Sequence, residues 1–146
     1  MSASAVDRAA KRERMAGVRR DAGGRPLVLS SHEALGWYLE GIRTHVSLAG
    51  PPVLAVRVDD DGDTVFVSAN EADRLIAEEL LPEDAGRVVR VPWHQSVLEA
   101  AGAGLAEAEV APALRAARAS LLPAEADRYR ALGRETAEVL TAEIGR

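Results

Sequence analysis

The stretch 52–69, PVLAVRVDDDGDTVFVSA, decides the fold class. Pro52 to Val58 is apolar on both faces apart from Arg57, the composition of a strand covered on two sides. Asp59-Asp60-Asp61-Gly62-Asp63 then turns the chain, with Asp61-Gly62 at the centre of a hairpin. Thr64 to Ala69 is the returning strand. The aspartate run fails as a calcium loop. Counted from Asp59, glycine falls at the fourth position and Asn70 at the twelfth, where an EF-hand needs glycine sixth and glutamate twelfth. It reads as a solvated turn.

Downstream, Asn70 is placed to cap a helix with Asp73 near its positive end, and Leu75, Ile76 and Leu80 face inward. Pro82 to Gly86 is a loop, Arg87 to Val91 a strand ended by Pro92, and Ser96 to Ala101 a short helix. Ala101-Gly102-Ala103-Gly104 reads as a boundary. Upstream, residues 5–21 form a helix with a weak apolar stripe of Val6, Ala10, Met15 and Val18, ended at Ala22-Gly23-Gly24. Pro26 to Ser30 is a strand, and Ser31 caps a short helix through Trp37 and Tyr38 that Gly41 stops. Arg43 to Leu48 is expected as another strand, broken by Ala49-Gly50-Pro51. The expected fold is α/β: a mixed central sheet of about five strands with flanking helices and a C-terminal helical extension.

Beyond residue 106 the character changes. Residues 107–120 are alanine-rich and helical around Pro112. Pro123 opens the last helix, with Glu125 and Asp127 in its first turn. Tyr129, Leu132, Thr136, Val139, Leu140 and Ile144 recur at three- and four-residue steps, one face over about five turns. Burying such a stripe is worth roughly 1.5–3 kcal/mol per large side chain. The chain is expected either to be cut here or to cover the face by self-association.

The 146 residues are 47% hydrophobic and 28% charged, enough for a packed core, and with 3% aromatics that core must be mostly Leu, Val and Ala. The absence of cysteine excludes disulfides, Cys-ligated zinc and thiol catalysis, and fits a cytoplasmic protein. Met1 to Arg20 has no apolar run for a secretory signal, and no segment is apolar enough to span a membrane. Net charge is −5, so no nucleic-acid partner is expected. The basic cluster Arg8, Lys11, Arg12, Arg14, Arg19 and Arg20 reads as the solvated face of a helix, because no aromatics interleave with it.

Motifs of catalysis are missing. His32, His45 and His94 have neither the i+3/i+4 spacing nor the HExxH pattern of a metal site. No serine sits in GxSxG, and Gly102-x-Gly104 lacks the third glycine of a phosphate loop. The strands at Pro26–Ser30, Pro52–Val58 and Thr64–Ala69 carry no inward carboxylate, which excludes a two-metal nuclease. What remains is 35–45, LGWYLEGIRTH. It concentrates two aromatics, a glycine, an arginine and a histidine. Trp37, Tyr38, Arg43 and His45 are the candidate binding residues; core packing for the aromatics and a surface role for Arg43 and His45 are equally open.

Trp37-Tyr38-Leu39-Glu40-Gly41 resembles the (W/R)YLTG(F/Y) signature of the creatinase/prolidase-type amino-terminal domain. That domain, ribonuclease H-like in fold, precedes the pita-bread catalytic domain of a metallopeptidase family that includes Xaa-Pro aminopeptidases, prolidases and creatinase. The segments Leu114 to Glu125 and Arg128 to Gly133 resemble the R-x-x-K-S-x-x-E-x-x-x-x-R-x-A passage that opens the catalytic domain. Glu40 stands where the signature has threonine, Ile42 where it has an aromatic, and the K-S lysine is missing. The resemblance implies an amino-terminal domain over 1–106, and over 107–146 a linker with the first helix of a catalytic domain. It implies a homodimer in which this domain covers the neighbouring subunit's active site, with Trp37, Tyr38, Arg43 and His45 walling the substrate pocket. It further implies that the parent hydrolase holds two divalent ions (Mn, Co or Zn) on two aspartates, a histidine and two glutamates beyond Arg146. The parent would act on a small peptide or small molecule. No catalytic residue and no cofactor are then expected within 1–146. The alternatives are a stand-alone dimeric interaction module and a pseudoenzyme.

Overall fold

The hairpin forms in the stretch the sequence marks, with Asp60-Asp61 as its turn and not Asp61-Gly62. In a computed structural model that describes residues 3–47 and 49–145, β2 (Leu54–Asp59) and β3 (Gly62–Ser68) pair antiparallel, with Val56 opposite Val65 and Asp59 opposite Gly62. Gly62 takes φ +121°, a backbone that side-chain-bearing residues avoid. β1 (Leu27–Leu29) lies antiparallel to β2, β4 (Val88–Val91) parallel to β3, and β5 (Leu105–Ala106) parallel to β1. The sheet order is β4-β3-β2-β1-β5.

Alternation divides the sheet into two faces. Leu27, Leu29, Leu54, Val56, Val58, Val65 and Val67 point into the main core. There they meet Met15 and Val18 of α1 (Ala3–Asp21), Leu35 and Tyr38 of α2 (His32–Tyr38) and Leu75 of α3 (Ala69–Glu78). Val28 and Ala55 point the other way, onto Ala101, with Phe66 and Val97 at the margin. The remaining helices are α4 (Pro82–Ala85), α5 (Val97–Ala100), α6 (Ala111–Ala119) and α7 (Pro123–Ile144), with a 3₁₀ turn at Glu107–Val110.

Several local expectations are corrected. Arg43 to Ser47 is not a strand; the segment runs irregularly, tied back where Val53 N–H donates to Thr44 O at 3.0 Å. Val46 is its one apolar side chain and is exposed, so no apolar alternation holds it to a sheet. Leu48, the end of that expected strand, lies outside the described residues. The cap of α3 is Ser68 and not Asn70, which sits one residue inside the helix. Ala101 to Gly104 leads into β5, and Val110 and Leu114 beyond it join the main core.

Gly104 shows why β5 can pair so closely. A Cβ there would lie 2.7 Å from Pro26 O and 3.2 Å from Val28 Cγ2. Gly104→Ala is therefore expected to cost about 1–3 kcal/mol in urea unfolding, as overpacking does. An unchanged midpoint would mean that β5 shifts without penalty.

Candidate functional site

Half of the basic face of α1 is buried, while Arg20 stays exposed. Arg8, Lys11 and Arg19 are 0%, 2% and 5% exposed, because acids far along the chain come to meet them. Arg8 lies 3.8 Å over the Tyr38 ring. It donates twice to Asp84, from Nε at 3.1 Å and Nη2 at 3.0 Å, and pairs also with Asp63. Arg12 bridges Asp63, Asp84 and Glu83, and Arg87 closes on Asp63. Tyr38 O–H donates to Asp63 at 3.1 Å. Asp63 was expected in a solvated turn; it is 5% exposed and is an inward carboxylate of β3. Burial alone would raise its pKa, but Arg8, Arg12 and Arg87 together hold the carboxyl below its ordinary value. Burial pushes the Tyr38 phenol up to about 12.

A second buried cation fixes α7. Lys11 Nζ lies 2.9 Å from Glu40 Oε1 and 2.9 Å from Glu125 Oε1. Glu40 occupies a left-handed backbone, φ +67°, a conformation that persists in a non-glycine residue only when its surroundings over-determine it. Glu125 also accepts from Leu122 N–H at 2.9 Å, which is half of a capping box; the leucine side chain has no oxygen to supply the other half. Arg128 reaches Asp7 at 3.4 Å. Past that first turn and a half, α7 touches little: Tyr129, Leu132, Val139, Leu140 and Ile144 are all exposed.

The four residues singled out from the sequence stand in different settings. Tyr38 is fully buried in the Arg8–Asp63 centre. Trp37 packs at the margin of the core with Lys11 Nζ 5.4 Å from its ring, and its buried Nε1 has no hydrogen-bond partner. Arg43 is exposed and bound to Glu79 and Glu78. His45 is half-buried, edge-on to His32 with ring centroids 5.8 Å apart. Trp37 and Tyr38 are neighbours, as are His45 and His32; none of the four lines the cleft at the end of β1.

That cleft, about 610 Å³, lies where Ser30 follows β1, Leu54 opens β2 and Ser68 ends β3. Sequence reading missed it because its residues are serines, prolines and aliphatics, types with no chemical signature of their own. Among the described residues, no group of three or more His, Cys, Asp or Glu could hold a metal ion. No helix among them is long and apolar enough to cross a membrane. Compared with family models, with curated proteins and with solved structures, the chain matches none, and its function must be argued from its own residues.

Proposed function

We propose that this chain is the non-catalytic amino-terminal domain of a creatinase/prolidase-type metal-dependent hydrolase, with α7 as the first helix of the catalytic domain. Its work is dimerisation and covering the neighbouring subunit's active site. The observation that carries the reading is α7. Lys11 and Asp7 grip its first turns, and the apolar face that follows meets no partner, with Ile144 85% exposed. A face of that length is stabilising only when covered, and in this reading the pita-bread domain covers it. The α/β sheet, and the placement of Trp37 to Gly41 at the end of α2, agree with the resemblance. Glu40 in place of the signature threonine is compensated here by Lys11.

The two divalent ions of the parent would be held outside this chain, where they would supply a hydroxide and polarise the scissile carbonyl. Residues 1–146 alone, given Mn²⁺ or Co²⁺ and an Xaa-Pro dipeptide, are expected to show no turnover. Turnover that survives purification controls overturns the reading, as does a coding sequence past Arg146 without the two aspartates, histidine and two glutamates. Arg43 and His45 are the residues best placed to reach a substrate in trans, since both leave the core after α2. In the full-length protein, Arg43→Ala should raise KM or lower kcat without unfolding the protein. Unchanged kinetics across several substrates would make it a surface residue bound to Glu78 and Glu79.

One observation favours a second reading, a stand-alone dimer paired through α7. Tyr129, Leu132, Val139, Leu140 and Ile144 are exposed along one face over most of the helix. Antiparallel pairing of two copies would bury both stripes against each other.

A further inference from the structure

β1 is where the sheet's connections diverge. Antiparallel β2 lies on one side of it and parallel β5 on the other, while β1, β3, β4 and β5 all run in one direction. In open α/β sheets, the crevice outside the carboxyl end of such a strand is where ligands bind. Ser30 marks that end, and the cleft of about 610 Å³ opens there. Its volume falls within the roughly 300–1,000 Å³ of small-molecule sites. Val53, Leu54 and Ala55 form the floor, Val46, Ser47 and Gly50 to Pro52 one lip, and Gln95 to Leu98 the other. A hollow of about 270 Å³ continues it past Ser30 and Leu98 toward Gly102.

The cleft is held open by contacts within the chain. His32 Nδ1 lies 2.7 Å from Thr44 Oγ1, and its Nε2 lies 2.9 Å from Gly50 O, which staples the first lip to the start of α2. Ser68 N–H donates to Val53 O at 3.0 Å, which fixes the floor to the end of β3. A ligand entering such a site orders little, and that favours affinity.

The lining chooses the chemistry. Neither hollow presents an ionisable side chain, so a charged ligand would lose water and gain no counter-charge. Three of the polar side chains are already engaged. Ser47 accepts from Ala49 N–H, Ser68 bonds Asn70, and Ser96 accepts from Glu99 N–H. The Ser30 hydroxyl and the Gln95 carboxamide make no such bond and face a mostly apolar space. We infer that this cleft binds an uncharged, largely apolar small molecule that carries an amide or a comparable neutral hydrogen-bonding group. The inference is independent of the creatinase-type reading, whose substrate wall is built from other residues.

The test is titration of the ¹⁵N-labelled chain with N-cyclohexylacetamide, with cyclohexanecarboxylate and cyclohexylammonium as charged counterparts of similar size. Saturable amide shifts are expected at Val46, Val53 to Ala55 and Ser96 to Leu98, with the neutral probe bound about tenfold more tightly than either ion. Val46→Asp and Leu98→Asp, at positions 70% and 51% exposed, should weaken it about tenfold with an unchanged thermal melt. If an aspartate variant melts early, Gln95→Leu on an exposed side chain serves instead, with the same loss expected. No saturable shift, equal binding of the three probes, unaffected binding by the variants, or shifts centred on Tyr129 to Ile144 would each overturn the inference.

Discussion

Replacing Arg8 by methionine is expected to cost about 3 kcal/mol of folding stability, the lower part of the range for breaking a buried ion pair. The methionine fills most of the volume and can still pack on Tyr38, so the loss measures charge rather than a cavity. Asp84 would lose both of its bonds from Arg8 and keep only Arg12 Nη2 at 3.0 Å. Asp63 would retain Arg12, Arg87 and the Tyr38 hydroxyl, which is why the full range is not expected. A loss of that size lowers the melting temperature by about 6–12 °C for a chain of this length. Arg8→Lys should not rescue it, because one ammonium cannot reproduce the paired Nε and Nη2 bonds to Asp84. An unchanged urea midpoint for both variants would show that the centre contributes nothing net.

The same centre sets a pH dependence. Asp63 is held below its ordinary pKa in the folded chain, so the unfolded chain binds its proton more readily. The stability this contributes is fully present above the unfolded value near 3.9, and is lost as pH falls through the folded value. Unfolding on acidification is therefore expected below about pH 4, with a steeper slope in the unmodified chain than in Arg8→Met.

Why this centre escaped a reading of the sequence is instructive. A charge-rich helix face is solvated unless partners arrive from elsewhere, and here they arrive from 55 and 76 residues away. No local pattern encodes such a meeting. Asp63 was hidden further by its neighbours, since Asp60 and Asp61 of its run do form the turn. The hairpin and α7 were legible because each rests on a local signal: alternation flanking Asp-Gly, and an apolar repeat opened by proline. β5 was not, because two residues cannot carry a period; only the close approach of Gly104 to Pro26 O marks it. The candidate site was legible only as a segment. Residues 35–45 stand out by composition, yet Tyr38 turns inward to Asp63 while the cleft forms from unremarkable residues outside that segment.

The apolar face of α7 yields the other large effect. Leu132 and Leu140 are 60% and 57% exposed, so replacing both with glutamate should change the stability of residues 1–146 by less than about 0.5 kcal/mol per site. In a protein that continues into a domain packed on this face, the same pair should cost about 3–6 kcal/mol, at roughly 1.5–3 kcal/mol for each buried leucine. Urea unfolding of the two lengths, with and without the substitutions, reads the difference directly. A penalty confined to the longer protein is the outcome the amino-terminal-domain reading requires. If light scattering instead finds residues 1–146 dimeric, and the double substitution converts them to monomers, α7 is covered by a second copy. A substitution silent at both lengths would mean that the stripe is never covered, and the reading built on α7 would fall with it.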